Sequence, residues 1–73
     1  MEFQTNYQLT PHERKCTARA LEAVMRGNSD GSSVNSAAFW TRKTTFAVFR
    51  EDGLFRCRIT GRERDVTFTL RAE

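Results

Sequence analysis

In "TTFAVFREDGLFRCRITGRERDVTFTLR" (residues 44–71), β-branched and aromatic residues alternate with polar ones, and this pattern is the strongest indication of the fold. Alternation with a period of two is typical of half-buried β-strands. Two short polar segments that contain glycine, "EDG" (51–53) and "GRE" (61–63), divide the stretch into three runs. Such segments often connect hairpins, so the sequence predicts three consecutive antiparallel strands.

The second and third runs share the same division into two faces. One face is apolar and consists of Phe55, Cys57, Ile59, Val66, Phe68 and Leu70. The other face is mainly arginine and threonine and includes Arg56, Arg58, Thr60, Thr67, Thr69 and Arg71. A two-residue turn over 61–62 and a four-residue loop over 61–64 both preserve these faces, since they differ by one residue on each strand. The sequence therefore predicts that the arginines lie opposite the core, in water.

The first hairpin leaves two alternatives. A two-residue Asp52–Gly53 turn places Phe46 and Val48 in the core and leaves Phe49 on the outer face. A three-residue turn over 51–53 with a glycine bulge reverses these faces and buries Phe49. The sequence is compatible with both.

A helix is predicted before the strands, over "TPHERKCTARALEAVMRG" (residues 10–27). Thr10 and Glu13 have the spacing of a capping box, and Pro11 suits the first helical position. Cys16, Thr17, Ala20, Leu21, Ala23 and Val24 form an apolar stripe at helical spacing. Gly27 is the predicted C-cap.

The remaining segments are weaker signals. Alternation in "MEFQTNYQL" (residues 1–9) indicates a further strand, and residues 27–35 are predicted to form a flexible loop. In "VNSAAFWTRK" (residues 34–43), Ser36 could cap a single helical turn that carries Phe39 and Trp40, or the segment could lead directly into a strand. The predicted fold class is α+β: a single compact domain, 1–73, with one N-terminal helix on a three- or four-stranded antiparallel sheet in the order (β)αβββ.

Size and composition favour a binding role over catalysis. The chain has 73 residues and 38% hydrophobic residues, enough for one modest core and too many for a disordered chain.

The net charge is +3, with four basic and four acidic residues in 1–41 and eight basic and five acidic residues in 42–73. The N-terminus resembles no signal peptide, and the cysteines number two, so we expect a cytoplasmic protein with reduced thiols.

The arginine and threonine face is the first candidate site. It presents Arg56, Arg58 and Arg71, with Arg62 and Arg64 at the adjoining turn. Convergent guanidinium groups bind phosphates or acidic protein surfaces. The plainer interpretation is an ordinary solvated face, with Glu51, Glu63 and Asp65 neutralising the arginines across the strands.

Trp40 and the basic residues that follow it, Arg42 and Lys43, are the second candidate. An aromatic ring beside cations is typical of base stacking or of an interface anchor. A small core also needs its large aromatic residues, and this favours a buried Trp40. The sequence therefore supports both positions for Trp40.

No catalytic or metal motif is present, and we expect no cofactor, no metal site and no enzymatic activity. His12 and Cys16 are one helical turn apart, but Cys57 alone cannot complete a metal site with them. The leading hypothesis is a small protein that occupies a surface of a larger protein or nucleoprotein complex, such as a phage or mobile-element inhibitor of the anti-CRISPR or anti-restriction type. The alternatives are direct, weakly sequence-specific nucleic-acid binding and homodimerisation through a sheet edge or the outer face. No membrane partner is expected.

Overall fold

A computed structural model describes residues 2–29 and 36–72 and confirms the α+β class. It contains one helix, α1 (Pro11–Ser29), and five strands: β1 (Phe3–Thr5), β2 (Ser36–Trp40), β3 (Thr44–Glu51), β4 (Leu54–Gly61) and β5 (Asp65–Ala72). The strands form one antiparallel sheet in the order β1-β5-β4-β3-β2, so β1 and β2 lie at its two edges.

The sheet has more strands than the sequence predicts, because residues 36–40 are extended. The alternative of a helical turn capped by Ser36 is wrong: β2 pairs with β3 along its whole length, from Ser36 opposite Phe49 to Trp40 opposite Thr45. A Thr41 hydroxyl donates to the Thr44 carbonyl and closes the connection to β3. Pairing with β3 therefore determines the conformation of residues 36–40, for which the local sequence allows both a helical turn and a strand.

The helix begins where the sequence predicts and ends later. The Glu13 amide donates to the Thr10 hydroxyl at 3.1 Å, and the Thr10 amide donates to the Glu13 carboxylate at 3.0 Å, which completes the capping box. The predicted C-cap is wrong, since α1 continues through Gly27 to Ser29. Glycine permits a left-handed conformation without imposing it, and among the described glycines Gly53 alone has a positive φ. The predicted loop 27–35 is thus helical up to Ser29, and 30–35 lie outside the described residues.

The first hairpin uses the two-residue turn. Glu51 pairs with Leu54, and the residues between them have positive φ angles, 52° at Asp52 and 80° at Gly53. Positive φ at both central positions is typical of a type I′ turn, whose twist matches that of paired strands. The turn directs Phe49 to the outer face, opposite Arg56 on β4.

The core lies between the inner face of the sheet and two covering segments. The helix packs on β2 and β3, with Leu21 and Val24 fully buried. The chain before the helix covers β5, where the Tyr7 ring stacks on Phe68 with centroids 4.7 Å apart. The buried apolar residues are Phe3, Cys16, Ala20, Leu21, Val24, Phe46, Val48, Cys57, Ile59, Phe68 and Leu70.

The two cysteines are free thiols in this core. Cys57 is fully buried, with its sulfur 4.0 Å from the Thr17 hydroxyl. Burial raises the pKa of the Cys57 thiol from 9.0 to about 11, because the interior disfavours the charged thiolate; the contact with Thr17 lowers it by less.

This raised pKa predicts a loss of stability in alkali. Above pH 9 the unfolded chain releases the thiol proton before the folded protein does, so rising pH favours unfolding. The contribution is fully present below pH 9 and is lost towards pH 11, a change of about 2 to 3 kcal/mol in the free energy of unfolding. Urea unfolding of the wild type and of Cys57→Ala at several pH values measures it. Equal pH dependence in the two proteins would contradict the assignment.

Candidate binding surface on the open sheet face

The outer face of the sheet is the side that α1 does not cover in the described chain. Strand register assigns it Gln4, Ser36, Ala38, Trp40, Thr45, Ala47, Phe49, Glu51, Leu54, Arg56, Arg58, Thr60, Asp65, Thr67, Thr69 and Arg71. The alternation that the sequence predicts for β4 and β5 is confirmed: Cys57, Ile59, Phe68 and Leu70 are buried, whereas Arg56 and Arg58 are exposed.

This outer face divides into two halves of different chemistry. On β2 and β3 it carries an apolar half, consisting of Ala38, Trp40, Ala47 and Phe49. On β4 and β5 it carries arginine, threonine and one aspartate, together with Leu54 at the start of β4. The halves meet along the β3–β4 register, where Phe49 lies opposite Arg56 and Ala47 lies opposite Arg58. Apolar and charged groups thus adjoin on one open surface.

Trp40 is the most exposed large hydrophobic residue of the described chain, with 70% of its surface accessible, so the interpretation that places it in the core is wrong. Its register opposite Thr45 directs the indole to the outer face of an edge strand. The adjacent Phe39 takes the inner side instead, half-buried beneath the Arg19 guanidinium, which lies 5.4 Å from the ring centroid. An indole left this exposed is unusual for a residue that normally buries most of its surface.

The two central arginines are held by carboxylates on the same face. Arg58 donates two hydrogen bonds to Asp65, at 2.9 and 2.8 Å, and Arg56 lies 3.6 Å from Glu51. Hydrogen bonding to Arg58 lowers the pKa of Asp65, and the same pair raises the pKa of Arg58. Because the pair is exposed, it fixes the direction of the guanidinium more than it stabilises the fold. With Arg71 included, the outer face has three arginines and two carboxylates, a net charge of +1.

The structure brings some of the other predicted residues to one end of the sheet. Arg42 and Lys43 are exposed in the β2–β3 connection, next to Trp40, and Arg62 is exposed in the β4–β5 loop. Pairing of Thr44 with Gly61 places both connections at the same end. The basic residues of both connections therefore lie at the same end of the sheet as Trp40.

Arg64 is separated from this surface. It is half-buried on the helix side of the sheet, where it donates hydrogen bonds to the Glu13 carboxylate and, at 2.9 Å, to the Tyr7 hydroxyl. Its partners lie in the helix and in the segment before it, so Arg64 fixes the start of the helix to the β4–β5 loop. Arg64 therefore has a structural role, because both of its hydrogen-bond partners lie on the helix side of the sheet.

The apolar half is the feature that the sequence reasoning missed. Ala38 lies in a segment for which the sequence allows both a helical turn and a strand, and the orientation of Ala47 and Phe49 depends on the type of turn in the first hairpin. The Asp52–Gly53 dipeptide was the available signal, because this pair strongly favours a two-residue type I′ turn.

The described residues outside the outer face contain few reactive or metal-binding side chains close to one another. Three or more metal-binding side chains do not cluster anywhere in 2–29 and 36–72. The Cys16 sulfur lies 3.7 Å from the His12 Nε2 atom, with Cys16 buried and His12 exposed. No helix in the described residues is both long enough and apolar enough to cross a membrane. Comparison of the chain with protein-family models, curated proteins and solved structures finds no match.

Proposed function

We propose that this protein is a non-catalytic binding protein that occupies a surface of a larger partner protein through its outer face. The observation that carries the proposal is the exposed indole of Trp40. It belongs to the apolar half of the outer face, and the charged half lies beside this apolar half on β4 and β5. Protein interfaces concentrate their binding energy in a few residues, most often tryptophan, tyrosine and arginine. Here Trp40, Arg56 and Arg58 share one face.

The chemistry of the outer face indicates what the partner presents. The apolar half fits an apolar patch, and a net charge of +1 with Arg71 and the basic connections nearby favours an acidic rim. Arg58 is already oriented by Asp65, so less side-chain freedom is lost when it binds. An accessory inhibitor from a phage or mobile element, which covers a surface on a host defence complex, is the kind of protein we propose. The small size and the single open face support this context.

Direct nucleic-acid binding is the second candidate. Trp40 and Phe49 offer rings on which bases could stack, and Arg42, Lys43 and Arg62 lie at the same end of the sheet. The low charge of the outer face weighs against it, since phosphate backbones are held mainly by uncompensated cations. Carboxylates beside both central arginines would face the phosphates.

The proposal is tested by capture from a nuclease-treated host lysate, followed by titration of the purified partner. Arg56→Glu changes the outer face, whereas Lys15→Glu makes the same change in charge on the exposed side of the helix. Both lower the net charge from +3 to +1. We expect about a 10- to 100-fold weaker affinity for Arg56→Glu and little change for Lys15→Glu. Equal losses would show that net charge, and not this face, governs binding.

The nucleic-acid alternative gives a different result. Binding to random DNA or RNA should then fall steeply with added salt, and the slope should flatten in the double variant Arg56→Ala with Arg58→Ala. Lack of retention on any nucleic acid at low salt would exclude this candidate.

A further inference from the structure

We infer that the free edge of β2 pairs with β2 of a second copy, so that the protein forms a two-fold homodimer with one continuous sheet. The pairing is antiparallel and centred on Ala38, which lies opposite Ala38 of the second copy. The inference rests on the edge strand and does not require the proposed function.

The edge of β2 lacks the features that normally keep an edge strand unpaired. β2 is the last strand in the sheet order, and within the described chain it pairs with β3 alone. Its sequence, Ser-Ala-Ala-Phe-Trp, contains no charged residue and no proline. Natural proteins protect their sheet edges with such residues or by making the edge strand very short, as in the three-residue β1 at the other edge. An extended, uncharged and apolar edge is a surface for adding another strand.

The side-chain sizes of β2 indicate a second copy as the added strand. In the register centred on Ala38, Ser36 lies opposite Trp40 of the second copy, and Ala37 lies opposite Phe39. Every large residue thus faces a small one, on both faces of the sheet. This arrangement follows because the strand has three small residues followed by two large ones, and antiparallel pairing places the start of one strand opposite the end of the other.

This pairing forms its largest apolar contact on the outer face of the sheet. Ser36 has Phe49 on its β3 side, and adjacent strands are about 4.8 Å apart. Because Ser36 is small, the Trp40 indole of the second copy can lean over it and contact Phe49. The two-fold axis makes this contact twice, so both Trp40 indoles and both Phe49 rings lose exposure to water. Trp40 would then be exposed in a single copy because the residue that it contacts, Phe49, belongs to the second copy.

This dimer would also regulate the proposed binding surface. If both inferences hold, a second copy and a partner protein compete for Trp40, and the monomer is the form that binds the partner. The test of the dimer uses the isolated protein, so its outcome is independent of whether any partner is found.

Sedimentation velocity and tryptophan emission across a range of concentrations provide the first test. Trp40 is the only tryptophan in the chain, so the emission reports on this site alone. We expect the sedimenting mass to double and the emission to shift to shorter wavelength over the same concentration range. A monomer with an emission typical of a solvated indole at every concentration would overturn the inference.

Paired charge variants at Ala38 test the register. Ala38→Lys and Ala38→Glu each place two like charges directly opposite one another at the two-fold axis, so we expect each to weaken the dimer by about 100-fold or more. An equal mixture of the two should form a heterodimer, because lysine then faces glutamate. Thr67→Lys, on the same row of the outer face but away from the edge, should dimerise like the wild type.

Ser36→Arg provides a separate route that leaves Ala38 intact. Ser36 is exposed in the single copy, so the arginine should not disturb the fold, which circular dichroism verifies. It fills the space that receives the indole, and we expect a weakened dimer. A dimer that persists in folded Ala38→Lys and Ser36→Arg proteins would place the interface elsewhere and overturn the inference.

Discussion

Trp40→Ala should weaken binding of the partner protein by about 30- to 1000-fold, corresponding to about 2 to 4 kcal/mol. Tryptophan contributes most to the binding free energy where it enters a pocket that excludes water, and Trp40 has 70% of its surface available for such a contact. The same exposure means that the side chain supports little of the fold. We therefore expect the free energy of unfolding to change by less than about 0.5 kcal/mol.

Trp40→Phe provides the matched control, because it keeps an aromatic ring at the same position and should retain much of the affinity. Isothermal titration calorimetry can measure all three proteins, at concentrations below those at which the wild-type emission changes. An affinity unchanged in Trp40→Ala would remove the proposed anchor and leave the arginine half as the contact surface. A large loss of stability in this variant would contradict the exposed position.

Leu21→Ala should remove most of the stability of the domain. Leu21 is fully buried between the helix and the sheet. Truncating a buried leucine costs about 3 to 5 kcal/mol, since it removes apolar contacts and leaves a cavity. A core in a chain of this length supplies about the same amount in total. The variant should therefore be largely unfolded at physiological temperature, with the helical circular dichroism signal lost.

The same substitution at Leu54 measures the effect of position. Leu54 lies on the outer face with 44% of its surface exposed, and Leu54→Ala should cost less than about 1 kcal/mol. Urea unfolding of the two variants compares identical chemical changes at a buried and an exposed site. Similar losses in both would show that the helix does not pack on the sheet through Leu21.

Features that depend on neighbours along the chain are predictable from residue types and their spacing. Alternation in β4 and β5 separated Cys57 and Ile59 from Arg56 and Arg58, because a strand directs successive side chains to opposite faces. Thr10 and Glu13 marked the start of the helix, because their hydrogen bonds span only three residues. Such short-range geometry follows from residue types and spacing alone.

Other features depend on contacts between segments that are distant in the sequence, and they follow only from the folded chain. The strand conformation of residues 36–40 comes from pairing with β3, and that register exposes Trp40 and buries part of Phe39. Arg64 lies in the loop before β5, and Glu13, 51 positions away, holds it on the helix side of the sheet. The apolar half exists only once β2 and β3 lie side by side. Pairing and burial are properties of the whole fold, so these parts of the candidate surface could not be read from local spacing.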